Sequence, residues 1–174
     1  MDDAAEHFRL AVLPHLDAAY RYARYLSRDA CAAEDVVQEA FLRARRNIDQ
    51  CRGNAKAWLL AIVRNCHHDL AKTNARYTGG EFDHQAQIDP DTPHTHAERS
   101  DETTRLRRTI EMLPEPFREA LVLRELEELS YREIAELTGA PIGTVMSRLA
   151  RARAILTDQL LGEQTGQARK AGEQ

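Results

Sequence analysis

Long apolar runs and cysteines are scarce in this sequence. The longest uninterrupted apolar run is Ala57–Val63, far shorter than the roughly 20 residues that cross a bilayer. The 3 cysteines are odd in number and show no CxxC spacing, which argues against a disulfide framework and favours a reducing compartment. The start, Met1–Asp3, is acidic rather than basic, so no signal peptide is expected. We therefore predict a cytoplasmic protein.

Catalytic signatures are also missing. The sequence has no Walker loop, no nucleophile elbow and no carboxylate pair with a supporting motif. It therefore offers no recognisable catalytic site. The histidines of Cys66–His68 and of His94–His96 lie on separate segments, without a second cysteine at zinc-finger spacing. We therefore predict that the protein is not an enzyme and that it holds no cofactor and no metal.

Residues that favour helices dominate what is present. Ala, Leu, Glu and Arg are abundant and β-branched clusters are few, which favours an all-α fold. Pro14 allows a break in the first helix, and the Gly- and Gln-rich tail, residues 163–174, is expected to be disordered. Apolar residues recur at three- and four-residue steps and predict helices over 6–28, 33–46, 55–73, 101–113, 117–126, 130–138 and 143–160.

Charge is distributed in blocks that the net charge of −4 conceals. Residues 41–76 carry eight Lys or Arg against two acids, whereas residues 77–102 carry seven acids against one arginine. A basic block can bind a polyanion locally even when the whole chain is acidic. The acidic stretch has no helical periodicity, so we predict a flexible linker over 77–100 that joins two small helical domains, residues 1–76 and 101–162.

The strongest local signal is a helix-turn-helix. Ser130–Glu133 has the pattern of a capping box that begins a helix. Gly139 suits the left-handed residue that ends it, and Pro141 prevents its continuation into a second helix that begins near Gly143. An arginine-bearing second helix matches the arrangement that enters the major groove of DNA. The alternative is a helical hairpin with a solvated arginine face.

Two groups of motifs together resemble the sigma-70 family. Asp35–Phe41 (Asp-Val-Val-Gln-Glu-Ala-Phe), Ala57–Leu59 (Ala-Trp-Leu) and Arg64-Asn65 resemble the family's region 2, and Ser130–Arg153 resembles its region 4. With no other conserved region between them, the layout is similar to the extracytoplasmic-function (ECF) group. The resemblance implies a region 2 helical bundle, a region 4 helix-turn-helix domain, and a sigma factor that directs promoter recognition and DNA opening in transcription initiation, in a stress or environmental response.

The resemblance also implies which residues bind core RNA polymerase, through its β′ and β subunits. In the family, the helix that carries the Asp-x-Val-Gln-Glu motif docks on a coiled coil of β′. The alternative for this helix is a solvated face with ordinary i,i+4 pairs. Val37, Phe41 and Trp58 are expected in the core rather than at a contact. The candidate docking residues are Asp35, Gln38, Glu39, Leu42 and Arg45.

Two sets of residues are implied to contact promoter DNA. The loop Asn47–Asn54 corresponds to the element that captures an unstacked base of the −10 element. Cys51 and Met146 depart from the family's usual residues, which leaves the base preference open. The −10 set is Asn47, Arg52, Asn54, Lys56, Arg64 and Asn65. The −35 set is Thr144, Met146, Ser147, Arg148 and Arg151.

Two other functions are compatible with the sequence. A stand-alone helix-turn-helix regulator would bind an operator without polymerase, as a dimer on two half-sites. A protein that mimics a sigma factor and sequesters a partner would not need Arg148 or Arg151. The resemblance further implies that an anti-sigma factor binds the chain and covers its DNA surfaces.

Overall fold

A computed structural model describes the backbone of residues 3–78 and 101–171 and the side chains of residues 4–76 and 103–162. Both described ranges are helical and contain no strand, which confirms the predicted all-α fold. No helix in these ranges is both long and apolar enough to cross a membrane. The helices are α1 (Asp3–Ala11), α2 (Leu16–Ser27), α3 (Ala30–Arg46), α4 (Ala55–Thr78), α5 (Asp101–Glu111), α6 (Glu115–Leu121), α7 (Tyr131–Thr138) and α8 (Ile142–Ala171).

The first domain is a bundle of α1 to α4. The predicted first helix is broken where Pro14 falls, in a 3₁₀ turn over Leu13–His15, because proline cannot donate the helical hydrogen bond. α3 begins at a side-chain cap, in which Asp29 Oδ1 accepts from the Ala32 amide at 2.6 Å. Alanines at the crossings let the helices approach closely. The core contains Ala19, Tyr22, Ala23, Val36, Ala40, Leu59, Leu60 and Val63.

The second domain comprises α5 to α8. α6 ends in a π turn over Val122–Leu126, so the helix predicted over 117–126 is regular only in its first part. The buried apolar face of α8 consists of Val145, Leu149 and Ala152, as the sequence periodicity predicted. These residues pack with others from α6, α7 and the preceding turn, namely Leu113, Leu121, Leu123, Leu129 and Ile134.

α8 and α4 are longer than predicted. α8 continues to Ala171, beyond the helix end that the sequence predicted near residue 160. Glu, Gln, Ala, Arg and Lys are strong helix formers, and they outweigh the two glycines here. The predicted linker, residues 77–100, lies outside the described residues apart from Tyr77 and Thr78, which extend α4.

Candidate polymerase and nucleic-acid surfaces

The five residues predicted to dock on polymerase share one face of α3. Their spacing of three and four residues places them in one row along the helix, opposite the buried Val36 and Ala40. Leu42 leaves 50% of its surface exposed, so the row includes an apolar side chain that solvent can reach. The row, called here the docking face, consists of the exposed Asp35, Gln38, Leu42 and Arg45 and the half-buried Glu39.

Arg43 fixes the docking helix to α4. Its Nε donates to Glu39 Oε1 and its Nη1 donates to Asp69 Oδ2, both at 2.7 Å. The hydrogen bonds to Asp69 and Glu39 raise the pKa of Arg43. The i,i+4 spacing of Glu39 and Arg43 could have indicated this pair from the sequence. The contribution of Asp69 depends on how α3 and α4 pack.

A small cleft lies where α3 ends beside α4. It has a volume of about 190 Å³, below the roughly 300–1,000 Å³ of drug-sized ligand sites. Trp58 is half-buried and packs on the core, as predicted. It also lines this cleft, which the sequence did not predict. The lining residues are Arg43, Asn47, Gln50, Trp58, Ile62 and Asn65.

The cleft unites only part of the predicted −10 set. Asn47 and Asn65 line it, and the Asn47 side-chain amide donates to the Arg43 carbonyl at 2.8 Å, capping the end of α3. Arg52 is exposed in the loop between α3 and α4. The other three members of the set turn toward the second domain, so the structure divides the −10 set between two sides of α4.

Each of the three residues that face the second domain contacts a carboxylate of that domain. Asn54 Nδ2 donates to Glu133 Oε1 at 2.6 Å. Lys56 Nζ lies 3.0 Å from Glu127 Oε2 and donates to the Glu127 carbonyl at 2.8 Å. Arg64 Nε donates to Glu119 Oε1 at 2.7 Å. We call these three contacts the interdomain seam, and sequence reasoning missed them because each joins residues far apart in the chain.

Two of the seam carboxylates are buried and held from a second side. Glu119 Oε1 also accepts from the Tyr22 hydroxyl at 2.8 Å. Burial, and then the charge of Glu119, raise the pKa of Tyr22 well above its usual value. The Glu127 side chain is fully buried and accepts two hydrogen bonds from Arg21, at 2.6 and 3.0 Å. Both carboxylates therefore have charged donors, as buried anions require.

The predicted helix-turn-helix is confirmed in its local geometry. The Glu133 amide donates to Ser130 Oγ at 3.2 Å and the Ser130 amide donates to Glu133 Oε2 at 2.8 Å, which completes the capping box. Gly139 is left-handed, with φ of 70°, as the end of α7 requires. α8 then begins at Ile142, within two residues of its predicted start.

The outer face of α8 carries the predicted −35 set. Met146, 53% exposed, and Ser147 and Arg151 point outward, whereas Thr144 and Arg148 are half-buried. Ser147 Oγ donates to the Thr144 carbonyl at 3.0 Å. We call these five residues the recognition face. They lie at the N-terminal part of the second helix, which is the part that contacts base edges in helix-turn-helix proteins.

A histidine cluster lies beside the interdomain seam, although the sequence predicted no metal site. His67 and His68 of α4 come close to Glu115 of α6, with one candidate ligand atom from each within 4.8 Å of the others. Ligand atoms on one zinc ion, each about 2.0–2.2 Å from the metal, lie closer together, so these side chains would have to draw together to share an ion. Cys66 is buried in the core.

Comparisons with known proteins find relatives of both described parts of the chain. The family description "Sigma-70 region 2" matches residues 11–77 and the description "Sigma-70, region 4" matches residues 103–156. The ECF RNA polymerase sigma-E factor of Haemophilus influenzae is 36% identical over 149 residues, which cover 79% of this chain and 78% of that protein. The RNA polymerase sigma-H factor of Pseudomonas aeruginosa is 38% identical over 138 residues, 72% of this chain and 71% of that protein.

A solved structure is similar along most of the chain. It contains the sigma factor RpoE in complex with the anti-sigma factor NepR from Bartonella quintana, and it matches with a TM-score of 0.73 and 30% identity over 89% of this chain and 96% of that one. The chain belongs to the sigma-70 family. Within that family it is similar along most of its length to ECF sigma factors, for which a stress or environmental response is typical. It is a transcription initiation sigma factor.

Proposed function

We propose that this sigma factor uses three surfaces in turn: the docking face for core RNA polymerase, the α4 surface for the −10 element and the recognition face for the −35 element. The observation that carries the proposal is the order and placement of these surfaces. Each lies on a region with a family match, residues 11–77 for the first two and residues 103–156 for the third.

For polymerase binding, the docking face offers a mixed charged and apolar row. Leu42 at 50% exposure supplies an apolar anchor, and Asp35 and Arg45 supply charges of opposite sign around it. Such a small apolar centre with a polar rim suits a protein partner. We assign it to the β′ subunit of core polymerase, with the β subunit as a further contact.

For the −10 element, the cleft and the basic edge of α4 have complementary roles. The cleft places the amides of Asn47 and Asn65 beside the Trp58 ring. Amides can bond base edges, and an aromatic ring provides a surface for stacking. We assign the cleft to an unstacked base of the separated strand. Arg52, Lys56 and Arg64 would contact the phosphates on either side.

For the −35 element, the recognition face would lie in the major groove. Arg148 and Arg151 are separated by one helical turn, so they can contact neighbouring positions of one site. Arginine binds guanine or phosphate, whereas the exposed Met146 can make only apolar base contacts. We therefore assign sequence reading chiefly to Arg151 and Ser147 and expect Met146 to favour a thymine methyl group.

Partners and location follow from the same reasoning. The related Bartonella sigma factor was solved with an anti-sigma factor, and we propose that this chain is also controlled by one. We further propose that it acts in the cytoplasm, where polymerase and the chromosome are, and that its contribution is binding rather than covalent catalysis.

The test is transcription with purified components. Core RNA polymerase is combined with the full chain and a library of promoter fragments, and the run-off transcripts are sequenced. We expect transcripts that share upstream motifs at −35 and −10. Asp35→Ala with Leu42→Ala should weaken binding to core polymerase, while the control Asp158→Asn, an exposed change on α8, should not.

The two alternative functions give different results in the same assay. A stand-alone regulator would bind duplex DNA in a gel shift without core polymerase and would not support run-off transcription. A sequestering mimic would bind its partner equally well after Arg148→Ala and Arg151→Ala. Either result, with no promoter-directed transcript, would contradict the proposal.

A further inference from the structure

The histidine cluster of His67, His68 and Glu115 has no part in the polymerase and DNA surfaces assigned above. The two histidines follow one another on α4, and Glu115 lies in the first turn of α6. One candidate ligand atom from each residue lies within 4.8 Å of the other two. The prediction of no metal rested on spacing along the chain, and spacing does not detect ligands that folding brings together from distant segments.

We propose that these three residues bind one divalent transition-metal ion of the Zn²⁺ class, and that the ion joins α4 to α6. Two imidazoles and one carboxylate are a ligand set that Zn²⁺ accepts, with water in the fourth position. Imidazole ligands favour zinc and its neighbours in the transition series, whereas Mg²⁺ and Ca²⁺ prefer oxygen ligands. The inference is independent of the promoter and polymerase roles proposed above.

The three side chains are near coordination geometry. Ligand atoms about 2.0–2.2 Å from a tetrahedral ion lie about 3.4 Å from one another, so the atoms now within 4.8 Å have at most about 1.4 Å to close. Glu115 is exposed and the two histidines are half-buried. The long, solvent-exposed Glu115 side chain can therefore rotate toward rings that are more firmly held.

The surroundings of the two rings suit a bound ion. His67 Nδ1 lies 3.3 Å from Ser27 Oγ. Metal-bound histidines commonly donate the N–H of their other ring nitrogen to an oxygen, so Ser27 orients His67 to bind through Nε2. His68 Nε2 is a buried atom with no hydrogen-bond partner among the described residues. Coordination of this nitrogen would supply the partner that a buried polar atom requires.

A neighbouring ion pair holds α4 and α6 in the register that the site needs. Arg64, one turn before the histidines on α4, donates to Glu119 at 2.7 Å. Glu119 lies one turn after Glu115 on α6 and also accepts from the Tyr22 hydroxyl at 2.8 Å. The positive charge of Arg64 is thus compensated by Glu119, which leaves Glu115 to the histidines and the ion.

The test is metal binding by the full chain, purified without an affinity tag and freed of metal with EDTA. Co²⁺ is titrated with and without Zn²⁺, and its visible absorption is followed. We expect one Co²⁺ per chain, with bands typical of nitrogen and oxygen ligands that Zn²⁺ abolishes. Thiolate charge-transfer bands should be absent, because Cys66, beside the histidines, is buried in the core and is not a ligand.

Site variants locate the ion. Glu115→Gln removes the carboxylate from an exposed position, and His67→Gln removes one imidazole. Each should weaken Co²⁺ and Zn²⁺ binding by more than about tenfold, because loss of even an outer partner of a ligand costs about 10–100-fold. Ser27→Ala removes such an outer partner and should weaken binding by about tenfold. Circular dichroism establishes that each variant is folded, and the exposed Glu115→Gln provides the test if a histidine variant does not fold.

Control variants remove similar groups elsewhere. His94→Gln with His96→Gln removes two closely spaced histidines, and Glu136→Gln removes an exposed carboxylate of α7. Both should bind metal as the unmodified chain does. The inference is overturned by thiolate bands, by no binding at micromolar metal, by unchanged affinity in Glu115→Gln, or by equal weakening in the controls.

A stability measurement tests whether the ion joins the two helices. Zn²⁺ should raise the thermal unfolding midpoint of the unmodified chain, because an ion bound only by the folded arrangement stabilises it. The rise should be smaller in Glu115→Gln and unchanged in Glu136→Gln. A rise that Glu115→Gln retains in full would place the ion on α4 alone and overturn the joining of α4 to α6.

Discussion

The two surfaces that we assign to promoter DNA differ in how accessible they are. On α8, Met146, Ser147 and Arg151 are exposed. On α4, Lys56 and Arg64 are partly buried and engaged with Glu127 and Glu119. Both surfaces are basic in the sequence, so basic composition alone does not show whether a surface is available. The difference arises because acids far along the chain are folded against only one of them.

The first prediction tests whether the two domains are separable units. Leu60→Ala and Leu149→Ala each empty a fully packed site, and each should lower its own domain's stability by about 2–5 kcal/mol. Trp58 is the only tryptophan and reports on the first domain. Leu60→Ala should shift the denaturant midpoint seen by its fluorescence, while Leu149→Ala should shift mainly the circular dichroism midpoint. Equal shifts of both signals by both variants would show that the domains unfold together.

The second prediction tests the open recognition face. Arg148→Ala with Arg151→Ala should reduce run-off transcription about tenfold or more, since a specific arginine contact contributes roughly 1–3 kcal/mol. Binding to core polymerase should stay unchanged, because the docking face is on the other domain. Arg132→Ala, on α7 and paired only locally with Glu136, is the matched control. Equal activity of the two variants would remove the recognition face from promoter reading.

The third prediction concerns the cap that orients the helix-turn-helix. Ser130→Ala removes the hydroxyl that accepts from the Glu133 amide and should cost about 1 kcal/mol of stability. Ser147→Ala removes a hydroxyl that bonds only within α8 and should cost less. Thermal unfolding by circular dichroism compares the two. A larger loss for Ser147→Ala would contradict the importance of the cap.

The fourth and smallest effect is a pH dependence carried by Glu133. The Ser130 amide, and then the Asn54 side chain, lower the pKa of Glu133 below its usual 4.5. Its contribution to stability is therefore fully present above pH 4.5 and is lost as pH falls through the lowered folded value. Stability measured between pH 6 and pH 3 should fall less steeply in Glu133→Gln than in the unmodified chain. Identical slopes would show that Glu133 is not the responsible group.

Local sequence patterns predicted much of the fold. The Ser130–Glu133 box, the turn at Gly139 and the break at Pro14 all depend on neighbouring residues, and the structure has each of them. The spacing of the five docking-face residues also accounts for their position on one side of α3. α8 extends past its predicted end because the helix-forming residues between 161 and 171 outweigh the two glycines among them.

The side-chain contacts of the interdomain seam and of the histidine cluster, which sequence reasoning missed, join distant segments. Nothing near Arg64 in the chain indicates that Glu119 will neutralise it, and nothing near His67 indicates Glu115. The division of the −10 set between the cleft and the interdomain seam likewise depends on which sides of α4 meet other helices.

The sequence by itself determined the family, most of the helices and the chemical type of each surface. Motifs, caps and helical periodicity depend only on residues that are close together in the chain. Only the tertiary structure decided which of those surfaces is covered. Coverage depends on the packing of α6 and α7 against α2 and α4, where carboxylates and cations that lie far apart in sequence come within hydrogen-bonding distance.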